Sequence, residues 1–285
     1  MTVGLTGANG FVGAALALAC KERGFHTVRL MRNKSGNSVN NERLFDLEKP
    51  MSREQFTGID ILVHCAFIDP VKKNAEQLDS TGTANMMREA QAAGVKKFIY
   101  FSSVSGYEET LSDYGHTKLV IEKLFDPSRD VIVKPALIIG KNGLFYRMLQ
   151  QALQKKFVPL VNGGNQPMQV IALEDVVSAV LTILDKNLNG LFVLANRENF
   201  TYKEMFERIA KAYNISFRWM NLPYWGLNTL LTIAGLLRMK LPVTKENIKG
   251  LQSLRFTDPE TSLQALNLNP KNFDEMLREL KADKV

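Results

Sequence analysis

The amino-acid sequence predicts an α/β protein: a doubly wound parallel sheet followed by a smaller, mainly helical lobe. Three observations predict it. Short apolar strands alternate with helical stretches from Thr2 to Gly140, the pattern of a parallel sheet with helices on both faces. Three glycines stand in the first strand-to-helix turn, "TGANGFVG". After Gly140 the rhythm changes to longer helical runs separated by turn-rich loops, which marks a second lobe.

Each element has a local reason. "TVGLTG" is a buried strand that meets a glycine turn, and "FVGAALALACKERG" carries helix formers and stops at Gly24, a suitable C-cap. "HTVRLM" is the second strand, "RLFDL" a short third and "DILVHCAF" a fourth. A long helix is predicted from about Val71 to Ala93, closed by Gly94, and "KKFIYFSS" is strand five. The next helix holds Tyr114 and runs to about Phe125, where Pro127 stops it; "DVIVKPALIIG" is strand six. In the second half, "NGLFYRMLQQALQKK" reads as helix, "NGGNQP" as a turn, "LEDVVSAVLTILD" as helix and "GLFVLA" as a strand that returns to the sheet. "TYKEMFERIAKAY" has Thr201 and Glu204 at capping-box spacing. The tail from Trp219 onward reads as helical and irregular. The resulting division puts residues 1–141 and 168–198 in a dinucleotide-binding domain and 142–167 and 199–285 in a substrate lobe, closing over the carboxyl ends of the strands.

The 285 residues suit one large domain or two fused ones, and a 45% hydrophobic fraction is that of a soluble globular chain. The net charge of +7 favours anionic small molecules, but the Lys and Arg residues are scattered, which argues against a nucleic-acid partner. Cys20 and Cys65 lack zinc-ligand spacing, so neither a metal nor a disulfide framework is expected. A strand beginning almost at Met1 leaves no room for a signal peptide, and the expected location is cytoplasmic. The uncharged run from Trp219 to Leu237 approaches spanning length, yet Pro223, Gly226 and its asparagines and threonines weaken a membrane span. A buried helix of the substrate lobe is the preferred reading, with weak membrane-surface contact as the lesser one.

The glycine turn carries chemistry. Gly7 permits the sharp turn, Gly10 lets the backbone approach a pyrophosphate, and Gly13 lets helix pack on sheet, so that phosphates sit on the helix N-terminus. The end of the second strand then selects the dinucleotide. Arg32 is there, with no acid between Phe25 and Asn41. A guanidinium suits a 2′-phosphate, so NADP(H) is preferred while NAD(H) stays open.

With these landmarks in order, the sequence resembles the extended branch of the short-chain dehydrogenase/reductase superfamily, the NAD-dependent epimerase/dehydratase type, over most of its first two hundred residues. "TGANGFVG", "FDL", "HCAF", "STGTANMMREAQAAGVKKFIYFSS", "YGHTK" and "VKPALIIG" stand where that family has its motifs, with Lys134 where Arg is usual. The resemblance implies a Rossmann domain and assigns cofactor contacts to Gly7, Asn9, Gly10, Phe11, Val12, Arg32, Asp46, Leu47, Cys65, Ala66, Phe67, Tyr114, Lys118 and Pro135. It implies a catalytic triad of Ser103, Tyr114 and Lys118. Tyr-x-x-x-Lys on a helix puts both side chains on one face. An ammonium beside a phenol is expected to favour the phenolate, and a tyrosine tuned so can exchange a proton with a substrate oxygen near neutral pH. The competing assignment of Tyr114 is an aromatic anchor of the helix.

The family's dehydratases carry an acidic pair after the catalytic Ser or Thr; here those positions are Val104 and Ser105, which disfavours dehydration. Glu174 and Asp175, at the start of a helix, are expected to be structural. What remains is reduction of a keto group, preferentially of a 4-keto nucleotide sugar with Tyr114 as proton donor. The alternatives are a nucleotide-sugar epimerase with bound NAD, a reductase of apolar carbonyl compounds, and a non-catalytic NADP-binding regulator. A homodimer through the helices beside Tyr114 is known in many members of that superfamily.

Overall fold

The computed structural model describes residues 1–33, 41–70, 72–224, 226 and 245–282. Its main sheet has seven parallel strands: β1 (Thr2–Thr6), β2 (His26–Met31), β3 (Glu42–Leu44), β4 (Ile61–His64), β5 (Lys97–Phe101), β6 (Val131–Pro135) and β9 (Gly190–Leu194), which lie in the order β9-β6-β5-β4-β1-β2-β3. The order reverses between β1 and β4. At such a switch point two loops diverge and leave a crevice at the carboxyl ends of the strands.

Both faces of the sheet are covered. On one, α1 (Phe11–Glu22) and α5 (Leu173–Asp185) bury Leu16, Cys20, Val176, Val180 and Ile183 against Val3, Leu5 and Val63. On the other, α2 (Ala75–Ala92) and α3 (Asp113–Glu122) bury Met86, Ala90 and Ile121 against Leu62, Phe98 and Tyr100. Strands with both faces covered read as near-continuous apolar runs, which is why their positions were legible. Leu266, from α8 (Glu260–Leu266), also joins the α1 face.

A separate cluster forms the core of the second lobe. Phe145 and Leu149 of α4 (Gly143–Lys155), Met205, Phe206 and Ile209 of α6 (Tyr202–Tyr213), and Phe273, Met276 and Leu277 of α9 (Phe273–Ala282) meet there. The Thr201–Glu204 capping box is present at the start of α6.

Four expectations are corrected. The third strand is Glu42–Leu44, since its register with β2 ends at Met31 opposite Leu44. The predicted sixth strand breaks at Ala136, whose N–H bonds Leu194 O; the chain then leaves the main sheet as β7 (Leu137–Ile139), which pairs with β8 (Val170–Ala172). The long helix starts at Ala75, and Val71 lies outside the described residues. Finally, the tail does not begin as helix: Arg218–Leu222 is a strand paired in parallel with Phe157–Val161, a strand not expected either. Of the uncharged run, 225 and 227–237 lie outside the described residues; among those described, no helix is long and apolar enough to cross a membrane.

Candidate active site

The glycine turn joins β1 to α1. Gly7 adopts φ +64, and Gly10 N bonds Gly7 O at 2.8 Å. A Cβ on Gly13 would lie 2.3 Å from Gly7 O, so only glycine lets the helix start this close to the strand. Helix α1 has neither a side-chain cap nor an acid in its first turn. Its leading N–H groups and the positive end of its dipole are therefore left for an anion, and the turn fits a dinucleotide pyrophosphate. Asn9, Gly10 and Phe11 line a cavity of about 480 Å³ that Ile139–Asn142 and α9 close from the other side. Arg32 is exposed at the end of β2, Asp46 is half-buried after β3, and Pro135 ends β6, where its carbonyl accepts from Val104 N at 3.2 Å. Leu47 is instead buried in the core, its backbone carbonyl against Gly82 of α2.

At the end of β4, His64 is fully enclosed. Its Nδ1 meets Thr6 Oγ1 at 2.7 Å, its Nε2 meets Thr83 Oγ1 at 3.2 Å, and its ring stacks on Tyr100. Burial, aided by the Lys118 charge, pushes its pKa down to about 3, so it is a neutral structural histidine. Thr6 Oγ1 also accepts from Ala66 N at 3.2 Å, which ties the glycine strand to the Cys65–Phe67 segment. Cys65 is held as a thiol, its pKa raised to about 12 by burial. Phe67 is 54% exposed at the mouth of the crevice, edge-on to Tyr114 with 6.4 Å between ring centroids.

Helix α3 supplies the proposed proton-transfer pair. Ser112 is its N-cap, accepting from Gly115 N at 3.2 Å. A Cβ on Gly115 would lie 2.2 Å from Ser105 O, so α3 packs directly on the loop after β5. Lys118 is buried beneath Tyr114. Its Nζ donates to Phe101 O at 2.9 Å and lies 5.0, 5.4 and 5.8 Å from the ring centres of Tyr100, Phe67 and Tyr114. Burial lowers its pKa, with Asp79 the first of the groups that pull it back up. Ser103 lies near enough to Tyr114 to lower its pKa, so the structure brings Ser103, Tyr114 and Lys118 together. His116, between the pair in sequence, points elsewhere and meets Glu76 at 2.8 Å.

One electrostatic expectation is overturned. The Tyr114 phenol is not pulled down by Lys118. Burial raises it to about 12, Ser103 only partly offsets this, and the Asp79 charge adds to the rise. In this state Tyr114 is a protonated phenol.

Three further features were not legible in the sequence. Asp79, on α2, is only 2% exposed, its Oδ1 has no hydrogen-bond partner among the described residues, and burial raises its pKa to about 6 against the pull of Lys118. Lys134, Glu122 and Ser102 form a network under the Ser103 loop: Lys134 Nζ lies 2.9 Å from Glu122 Oε1 and also donates to Gly106 O, and Ser102 Oγ donates to Glu122. Glu246, from α7 (Lys245–Gln252), reaches Tyr114 N at 3.0 Å. Glu174 and Asp175 lie at the start of α5, where Asp175 accepts from Lys271 N at 3.0 Å.

Residues 3–195 match the sequence model of the NAD dependent epimerase/dehydratase family. The chain belongs to that family. Membership brings a nicotinamide dinucleotide as cofactor and oxidoreductase or epimerase activity. Among curated relatives, the UDP-glucose 4-epimerase of Vibrio cholerae is 24% identical over 93% of this chain and 95% of its own length. The ceramide reductase of Caulobacter vibrioides is 25% identical over 80% of this chain and 75% of its own. Among solved structures, MoeE5 in complex with UDP-glucuronic acid and NAD superimposes with a TM-score of 0.77 over the full length of both chains at 17% identity. That likeness establishes the fold of the family across both lobes.

Proposed function

We propose that this chain interconverts a secondary alcohol and a ketone on a nucleoside diphosphate sugar, and that it does so as an epimerase. The observation that carries the reading is the convergence of Ser103, Tyr114 and Lys118, on α3 and the loop after β5. The full-length likeness to a UDP-glucose 4-epimerase supports the substrate class and the reaction. The bound nicotinamide would supply reversible hydride transfer at the carbon that bears the oxygen. Ser103 would hold that oxygen by a hydrogen bond. Tyr114 would take the hydroxyl proton and return it, and the positive charge of an oxidised nicotinamide would lower its pKa for the first step. Inversion requires that the ketone turn over between the two transfers. In this reading residues 1–141 and 168–198 bind the dinucleotide, and 142–167 and 199–285 hold the sugar nucleotide.

A second reading, reduction of a ketone by NADPH, is favoured by two observations. Arg32 ends β2 without a nearby acid, which suits a 2′-phosphate, and Tyr114 is protonated in this structure, as a donor must be. The similarity to a ceramide reductase supports an apolar substrate, which the exposed Phe67 ring beside Tyr114 would accept.

The test is to incubate the protein with NAD and a panel of UDP-hexoses and UDP-N-acetylhexosamines, and follow the sugar protons by NMR. Appearance of the inverted sugar without net cofactor reduction supports epimerisation. Net oxidation of NADPH by a ketone, with no inversion in any sugar, would replace it with the reductase.

A further inference from the structure

We infer that Glu246 is a positioning residue for Tyr114, holding the proton-transfer group in reach of Ser103 from a helix that follows the second lobe's α6. The inference rests on the reading of Tyr114 as the proton-transfer residue. Tyr114 is the second residue of α3, so its backbone N–H has no acceptor within the helix. Such an N–H is ordinarily satisfied by the N-cap side chain. Here the Ser112 oxygen is engaged by Gly115 N. The Tyr114 N–H goes instead to Glu246 Oε1 at 3.0 Å, and the same oxygen accepts from Ser112 Oγ at 2.7 Å. A single carboxylate oxygen from a segment 132 positions away thus fixes the cap and the reactive residue together. A local cap already starts the helix, so the distant carboxylate does something that helix formation alone does not require.

The surroundings are consistent with a clamp. Lys249, one turn on in α7, pairs with Asp113 at 2.8 Å. Ser253 accepts Leu111 N on Oγ at 2.8 Å and Tyr107 Oη on its carbonyl at 2.6 Å. Residues 246–253 therefore hold both Tyr114 and the loop that connects it to Ser103. The second oxygen of Glu246, Oε2, is buried without a hydrogen-bond partner among the described residues, so Oε1 is the atom on which the position of Tyr114 depends. Movement of α7 on substrate binding would reach Tyr114 directly through this bond.

The experiment labels tyrosine at Cζ with ¹³C and assigns the Tyr114 signal by its loss in Tyr114→Phe. Glu246→Ala should shift or broaden that signal, leave the NAD dissociation constant within about twofold, and lower kcat roughly tenfold at unchanged KM. Glu246→Gln keeps an accepting oxygen and should restore the signal and at least half of kcat. Should the alanine variant fail to fold, Glu246→Asp, which keeps the charge but shortens the reach, must still displace the signal. A Tyr114 signal unmoved in Glu246→Ala, or unmoved in Glu246→Asp where alanine does not fold, overturns the inference, as does a Gln variant as damaged as Ala. Because the labelled ring reads out without substrate, failure of every sugar nucleotide in the panel would count against the functional reading and not against the role of Glu246.

Discussion

Lys134→Met removes one ammonium and keeps the aliphatic stem, so it isolates the network beneath Ser103. Side chains of Lys134 and Glu122 are 13% and 9% exposed, so the pair is screened far less than a surface one. Loss of Nζ leaves the Glu122 carboxylate with Ser102 Oγ as its remaining donor among the described residues and frees Gly106 O. Breaking a buried pair from one side costs about 3–5 kcal/mol, and the surviving Ser102 hydrogen bond places this case at the lower end, about 3 kcal/mol. For a chain of this size that is a fall in Tm of roughly 6–12 °C. The loop should loosen as well, because Gly106 N bonds Ser103 O at 3.0 Å and the Lys134 contact is on the same residue. Turnover should drop about tenfold while dinucleotide affinity holds. Urea unfolding of Lys134→Met, Glu122→Gln and the double variant gives the coupling, and the double variant should recover at least half of the loss. A Lys134→Met protein within about 0.5 kcal/mol of wild type would show that the pair carries nothing and that Lys134 does not hold the loop.

Three other outcomes are expected. Arg32→Ala should weaken NADP about tenfold or more and leave NAD nearly unchanged, measured by fluorescence titration; equal NADP affinity in both proteins removes Arg32 from the site. Asp79 has a folded pKa raised to about 6, so the native state binds the extra proton and loses stability as pH climbs from the unfolded value through 6. Asp79→Asn should accordingly be more stable than wild type by about 1–2 kcal/mol at pH 7 and indistinguishable from it at pH 4; a larger gain over wild type at pH 4 than at pH 7 would reverse the sign of the argument. Cys20, buried and with its pKa raised to about 11, should resist iodoacetamide in the native protein at pH 7.5, and rapid labelling would contradict that burial.

What was legible in the sequence, and what was not, has a physical pattern. Strands β1, β4 and β5 could be placed because both of their faces are covered, and a run such as "DILVHCAF" has no other home. The glycine turn was legible because Gly7 and Gly13 are needed for reasons of backbone geometry that few contexts share. Strand Arg218–Leu222 was not, since Arg218, Trp219, Met220 and Asn221 are all exposed and leave no alternation to read. The break at Ala136 was hidden inside an unbroken apolar stretch, where the pairing partner, not the composition, decides the direction. In the site, the spacing of Tyr114 and Lys118 followed from one helix turn. The sign of the Tyr114 shift did not, because it depends on burial and on Asp79 from another helix. Glu246 and Glu122 act through contacts across 132 and 12 positions, and nothing local to either residue announces them.

The central claim is that Tyr114 moves the substrate proton while Lys118 and Ser103 support it. It is tested most directly by rapid mixing of NAD-loaded protein with the sugar nucleotide that the NMR panel selects, following nicotinamide absorbance in a single turnover for wild type and Tyr114→Phe. The phenylalanine ring preserves the packing against Phe67 and Lys118 and lacks only the exchangeable proton. Hydride transfer in Tyr114→Phe should be slower by about 10²-fold or more, with NAD affinity within about twofold of wild type. A Tyr114→Phe protein that transfers hydride at the wild-type rate would contradict the account and leave Tyr114 as an aromatic anchor of α3.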